Sequence, residues 1–284
     1  MTILVAYDGS EQSDYALEMA TAAFPDEQLC LAHVVEPAAE YGEAGGFSAT
    51  LYQQEFDSAE KMLQDVAEDL PDSQSVTTVV RYGRPVHELL SIADDEDVEH
   101  IVIGSHGRDG AKRLLLGSVA ETVARRSPVP VTVVRNQPTA KPPERVVVPF
   151  DDSEPARAAL SFAAEQYPDA EITALYAVYP PSEVTGAGEA ALGDIEDWAD
   201  RLDEHTETVL AHAAEAANRD IVTDTVSGNP AGAIVEYADD HADHIVMGSH
   251  GRDGLSRLIM GSVAETVVRR SPTSVTVVRE QDED

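Results

Sequence analysis

Residues 100–135 read HIVIGSHGRDGAKRLLLGSVAETVARRSPVPVTVVR, and residues 244–279 read HIVMGSHGRDGLSRLIMGSVAETVVRRSPTSVTVVR. Without gaps, 28 of the 36 positions are identical. Each stretch opens on a short apolar run, passes through three glycines at fixed intervals, and enters a helical pattern that ends in two arginines. A segment written twice marks an internal repeat, so each half of the chain is a candidate domain.

The repeat reaches further. TILVAYDGSEQSDYALEMA (2–20) matches RVVVPFDDSEPARAALSFA (145–163), LAHVVEP (31–37) matches LYAVYPP (175–181), and YGRPVHELLSIADD (82–95) matches SGNPAGAIVEYADD (227–240). Between the copies lies RNQPTAKPPER (135–145), whose clustered prolines favour an extended linker. The expected domains are 1–138 and 144–284.

Within the first copy the patterns alternate: strand 2–7, helix 11–24, strand 28–35, helix 52–69, strand 76–81, helix 85–95, strand 99–103, helix 118–126 and strand 130–134. Valine-, isoleucine- and leucine-rich runs this short, with helical patterns between them, predict parallel strands covered on both faces. Right-handed crossovers then give a doubly wound, Rossmann-like α/β sandwich in each half. In such folds ligands bind outside the carboxyl ends of the strands, where strand order reverses. Asp8 after the first strand, Val34 near the end of the second and Gly104 after the fourth should meet there.

Composition excludes several classes. Among 284 residues, 43% are hydrophobic, as in a globular protein. No apolar run approaches membrane length, and the start lacks a signal-peptide pattern, so a cytoplasmic location is expected. The single Cys30, in QLCLAHVV, has no intrachain partner and fits a small core residue. With 53 acidic against 19 basic residues, the net charge is −34. Such a chain repels nucleic acid and anionic membranes. Only Lys61, Lys112 and Lys141 are lysine and the acids are spread throughout. That pattern predicts adaptation to molar salt, where counter-ions screen carboxylate repulsion.

The glycine pattern is Gly104-x2-Gly107-x9-Gly117-Ser118 in one copy and Gly248-x2-Gly251-x9-Gly261-Ser262 in the other. Glycine permits positive φ and close approach of backbone to a ligand. The third glycine stands at the mouth of a helix, where free N–H groups and the dipole favour an anion. Ser118-x-x-Glu121 and Ser262-x-x-Glu265 also fit a plain capping box, so anion site and helix cap are both open. The spacing is neither a Walker loop nor a dinucleotide fingerprint.

Both halves resemble the universal stress proteins, and the likeness covers essentially the whole chain. Members of that family that bind ATP carry G-x2-G-x9-G-[ST] after the fourth strand, unbroken in both copies here. The resemblance implies that Asp8 and Asp151 contact the adenosine end and that the backbones of Val34 and Val178 hydrogen-bond adenine. Ile103 and Met247 would line the pocket. Gly104, Gly107, Gly117 and Ser118, with Gly248, Gly251, Gly261 and Ser262, would cradle ribose and phosphates. Val119 and Val263 would add backbone N–H groups. It implies ATP as ligand, with Mg2+ or Mn2+ as companion ion, and pairing of the two domains through their last strands (VTVVR 131–135 and 275–279), with further homo-oligomers open.

Other residues have competing readings. Asp8 and Asp151 could simply turn the chain into the next helix, although their duplication favours ligand contact. Arg108 and Arg252 could grip a terminal phosphate as forks or stand in solvent. His106 and His250 lack partners at zinc spacing. Arg125-Arg126 and Arg269-Arg270 suit helix C-terminal dipoles, and Trp198 suits the apolar face of an amphipathic helix. Three functions remain: nucleotide-binding regulator, slow ATPase or self-phosphorylating enzyme, and interaction module. Without an evident general base or a Walker-type lysine, binding with little turnover is the reading adopted.

Overall fold

The computed structural model describes residues 1–36, 49–107, 116–135, 141–178, 192–251 and 260–279, with the side chains of 49–52 and 192–201 excepted. The chain divides into two compact units, Met1–Pro142 and Pro143–Asp284.

In the first unit β1 (Thr2–Ala6), α1 (Glu11–Ala23), β2 (Gln28–Val35), α2 (Ala49–Glu68), β3 (Val76–Tyr82), α3 (Pro85–Asp95), β4 (Val98–Gly104), α4 (Ser118–Arg126) and β5 (Val131–Val134) follow one another. The predicted elements agree to within a residue or so at each end, except that α2 begins three residues earlier than the 52–69 pattern indicates. The strands lie in the order β3-β2-β1-β4-β5, all parallel. The second unit repeats this with β6 (Arg145–Pro149), α5 (Glu154–Gln166), β7 (Glu171–Val178), α6 (Leu192–Ala216), β8 (Val222–Ser227), α7 (Pro230–His241), β9 (His244–Gly248), α8 (Ser262–Arg270) and β10 (Ser274–Val278). Its order is β8-β7-β6-β9-β10, again parallel. The doubly wound fold is therefore present twice.

The inner strands are apolar on both faces because helices cover both. Ile3, Leu4, Leu29, Leu31 and Ile101 in the first unit are fully buried, as are Val146, Val148, Ile172 and Ile245 in the second. Cys30 belongs to this core, and burial pushes its thiol up to about 11, so it stays protonated and inert. The outer strands β3 and β8 are instead largely exposed or half-buried. Right-handed crossovers place the first two helices of each unit on one face and the last two on the other; accordingly α5 packs on α6, and α3 on α4. Arg125-Arg126 and Arg269-Arg270 fall in the last turns of α4 and α8, where positive charge meets the negative end of the dipole. Trp198 falls within α6, but its side chain is outside the described residues. Among the described residues no helix is long and apolar enough to cross a membrane.

Candidate functional site

Strand order reverses between β1 and β4, and between β6 and β9, because the chain leaves β1 toward one edge and returns at β4 on the other side. At the carboxyl ends of these strands each unit holds a cavity, about 940 Å³ in the first and about 430 Å³ in the second. The first gathers Asp8, Val34, Ile103, Gly104, Gly107, Gly117, Ser118 and Val119, which all line it. The second gathers Asp151, Met247, Gly248, Gly251, Gly261, Ser262 and Val263. Arg108 and Arg252 lie outside the described residues.

One residue is corrected. LAHVVEP and LYAVYPP are out of step by one position, so Val178 is not the counterpart of Val34. The amide of Tyr7 bonds Ala32 and that of Phe150 bonds Leu175, which places Ala177 opposite Val34 in the repeat. Val178 instead matches Val35, since each accepts from the glycine after the third strand, Gly228 and Gly83. Ala177 lines the second cavity, and Val178 is not among its described walls. Hydrogen-bond register decides this where side-chain similarity misleads.

Asp8 turns the chain into α1 and also lines the cavity. Its Oδ1 accepts from the amide of Ser10 at 3.0 Å and the hydroxyl of Ser10 at 2.5 Å, turning the chain into α1. Its Oδ2 faces the loop after β4, where a β-carbon on Gly107 would come within 2.6 Å. Asp151 repeats this with Ser153, at 3.1 and 2.6 Å, and with Gly251, at 2.7 Å.

The glycines have three different physical reasons, and positive φ is none of them: neither these three nor their partners in the second unit adopt it. Gly104 and Gly248 admit a helix, since a β-carbon there would lie 2.7 Å from the carbonyl oxygen of Gln12 or 2.6 Å from the backbone of Pro155. Their role is close helix–strand packing beside the cavity. Gly107 and Gly251 admit the aspartate. Gly117 donates its amide to Ser105 at 2.7 Å, and a β-carbon on it would lie 3.2 Å from the Cα of His106.

The capping box is not formed. Gly117 and Gly261 are themselves the N-caps of α4 and α8, with φ −69° and −66°, and no side chain caps either helix. Ser118 and Ser262 lie one position inside, as first helical residues. By contrast Ser10, Ser153 and Asn229 cap α1, α5 and α7 through their side chains. The mouths of α4 and α8 therefore present backbone N–H groups and the positive dipole end to the cavities, which suits an anion.

His106 and His250 line the cavities with Nδ1 near the hydroxyls of Ser105 and Ser249, at 3.1 and 3.0 Å. Among the described residues no cluster of three or more His, Cys, Asp or Glu side chains is placed to hold a metal ion. No lysine or arginine stands among the described walls of either cavity. The sequence reading did not single out Gln12, which accepts from Ser105 at 3.2 Å, or the wall formed by Pro85 and Leu89, and by Pro230 and Ile234. The signal for the second was available: GRP at 83–85 and GNP at 228–230 recur in step, each opening a helix that begins at proline.

The sequence profile of the universal stress protein family matches residues 1–135 and again 143–279. The chain belongs to this family. Among its relatives, a universal stress protein of Mycolicibacterium smegmatis is 27% identical over 98% of this chain and 96% of its own length. One from Methanocaldococcus jannaschii is 31% identical over 48% of this chain and 94% of its own length, the size of a single repeat. The crystal structure of an Archaeoglobus fulgidus universal stress protein superposes with a TM-score of 0.69 at 26% identity, covering 100% of this chain and 97% of that one. This universal stress protein is thus a tandem form, with one cavity per family repeat.

Proposed function

We propose that each repeat of this universal stress protein binds an adenine nucleotide, ATP in the first instance, and that the protein works as a cytoplasmic nucleotide-binding regulator with little turnover. The observation that carries this is the pair of helix mouths at Gly117-Ser118-Val119 and Gly261-Ser262-Val263. Both lack a side-chain cap, and both open into a cavity at the switch point. The phosphates would sit against these amides. The base would lie toward Val34 and Ile103 in one site and Ala177 and Met247 in the other. Both cavities fall in the size range of small-molecule sites, about 300–1,000 Å³. A Mg2+ or Mn2+ ion carried in on the phosphates would offset part of their charge beside Asp8 or Asp151.

Calorimetry with ATP in molar KCl tests the reading. The parent should show two sites. Gly117→Val should remove the first, Gly261→Val the second, and the double variant both while keeping its circular dichroism. A folded double variant that binds ATP like the parent would overturn it.

A further inference from the structure

The two sites differ where the first strand of each repeat passes into its helix. Gly9 of the first repeat has φ 73°, and the residue in its place, Asp152, holds φ 66° despite its β-carbon. A non-glycine residue in this left-handed region is strained, and such strain persists where surrounding contacts fix it. Here the contacts are specific. One carboxylate oxygen of Asp152 pairs with the guanidinium of Arg157 on α5. The other, Oδ2, lies 2.8 Å from Nδ1 of His212 on α6.

The neighbouring differences form a consistent set. Arg157 replaces Asp14, which in the first repeat accepts from the hydroxyl of Tyr7 at 2.6 Å. Phe150 replaces Tyr7 and has no hydroxyl to donate. Gly9 offers no side chain to α2. The second repeat has thus exchanged a local Tyr–Asp bond for a charge cluster that reaches across to α6. A second contact comes from the same helix face, two turns earlier: His205 meets Tyr176 edge-on, with ring centroids 6.1 Å apart, and Tyr176 lines the second cavity.

We infer that Asp152 is a positioning residue for the second site, latching α6 to the loop that carries Asp151 and so slowing exchange of the ligand held there. The coupling is short and covalent at its last step. His212 holds Asp152, Asp152 is bonded to Asp151, and Asp151 forms a wall of the cavity while its Oδ2 faces Gly251. Gly9 has no side chain with which to form this latch in the first repeat, so the two sites release ligand at different rates. This rests on the nucleotide reading above.

The test uses the full chain in molar KCl with ATP bearing an N-methylanthraniloyl fluorophore. A Gly117→Val background reports the second site and a Gly261→Val background the first. Asp152→Gly copies the first repeat and relieves backbone strain, so folding is preserved. Asp152→Asn keeps a residue that tolerates the left-handed conformation while removing the charge. Release from the second site, chased with unlabelled ATP, should accelerate about five- to tenfold in both variants, the scale of one net hydrogen bond. Hydrogen exchange across 205–216 should rise with it. Release from the first site should stay at the parent rate. Unchanged release from the second site, or faster release from both sites alike, would overturn the latch. Failure of either parent background to bind the probe would instead overturn the nucleotide reading.

Discussion

Oδ2 of Asp8 occupies space that Gly107 leaves open: a β-carbon on that glycine would lie 2.6 Å from it, and Gly251 stands in the same relation to Asp151 at 2.7 Å. Gly104 leaves space of another kind, for the backbone of Gln12 in α1. Two glycines three residues apart therefore answer to different demands, one from a cavity wall and one from packing.

Their alanine variants should separate accordingly. Gly104→Ala must push α1 away from the end of β4, because its β-carbon would meet a backbone carbonyl at 2.7 Å. Overpacking of this sort costs about 1–3 kcal/mol, which urea unfolding in high salt would read. Gly107→Ala meets only a carboxylate end, so it should displace Asp8 and weaken ligand binding while moving the urea midpoint far less. Equal loss of stability in both variants would contradict this division.

The buried His244 sets an acid limit. It is fully enclosed, with Nε2 2.7 Å from the hydroxyl of Thr276, and burial lowers its pKa to about 3. In the unfolded chain a histidine takes a proton near 6.5. A base with a depressed folded pKa contributes stability that is present above about 6.5 and lost as pH falls from there toward about 3, because the unfolded state binds the extra proton. The urea midpoint should therefore fall between pH 7 and pH 5, and by less in His244→Asn. Proton resonances of the His244 ring should stay at neutral-form shifts down to pH 4. Titration of that ring near pH 6 would contradict the prediction.

Salt should be required for stability. With a net charge of −34, the chain's self-repulsion grows as screening is withdrawn. The melting temperature should drop by several degrees or more between molar KCl and about 0.1 M KCl, and scattering should show expansion. An unchanged melting temperature would count against the proposed adaptation to high salt.

Much of this was readable from the chain alone. Alternating apolar runs and helical periods determined two doubly wound domains, since each run is short, apolar on both faces and bounded by turn residues. The duplicated glycines pointed to the strands' carboxyl ends, where each unit has its cavity, because such a motif directly follows a strand. What the glycines are for was decided only in three dimensions. Whether a missing β-carbon makes room for Gln12, for Asp8 or for the backbone of His106 depends on which distant segment arrives there. The counterpart of Val34 was likewise decided by hydrogen bonding: a one-residue slip leaves local similarity nearly intact but changes every partner. The capping box failed for a related reason, as Ser118 fits the pattern but the helix begins at it and not after it. Asp152 was invisible in DDSE because its meaning lies in His212, sixty residues on. Local composition governs what each segment becomes, whereas contacts between segments far apart in sequence depend on packing that no local pattern encodes.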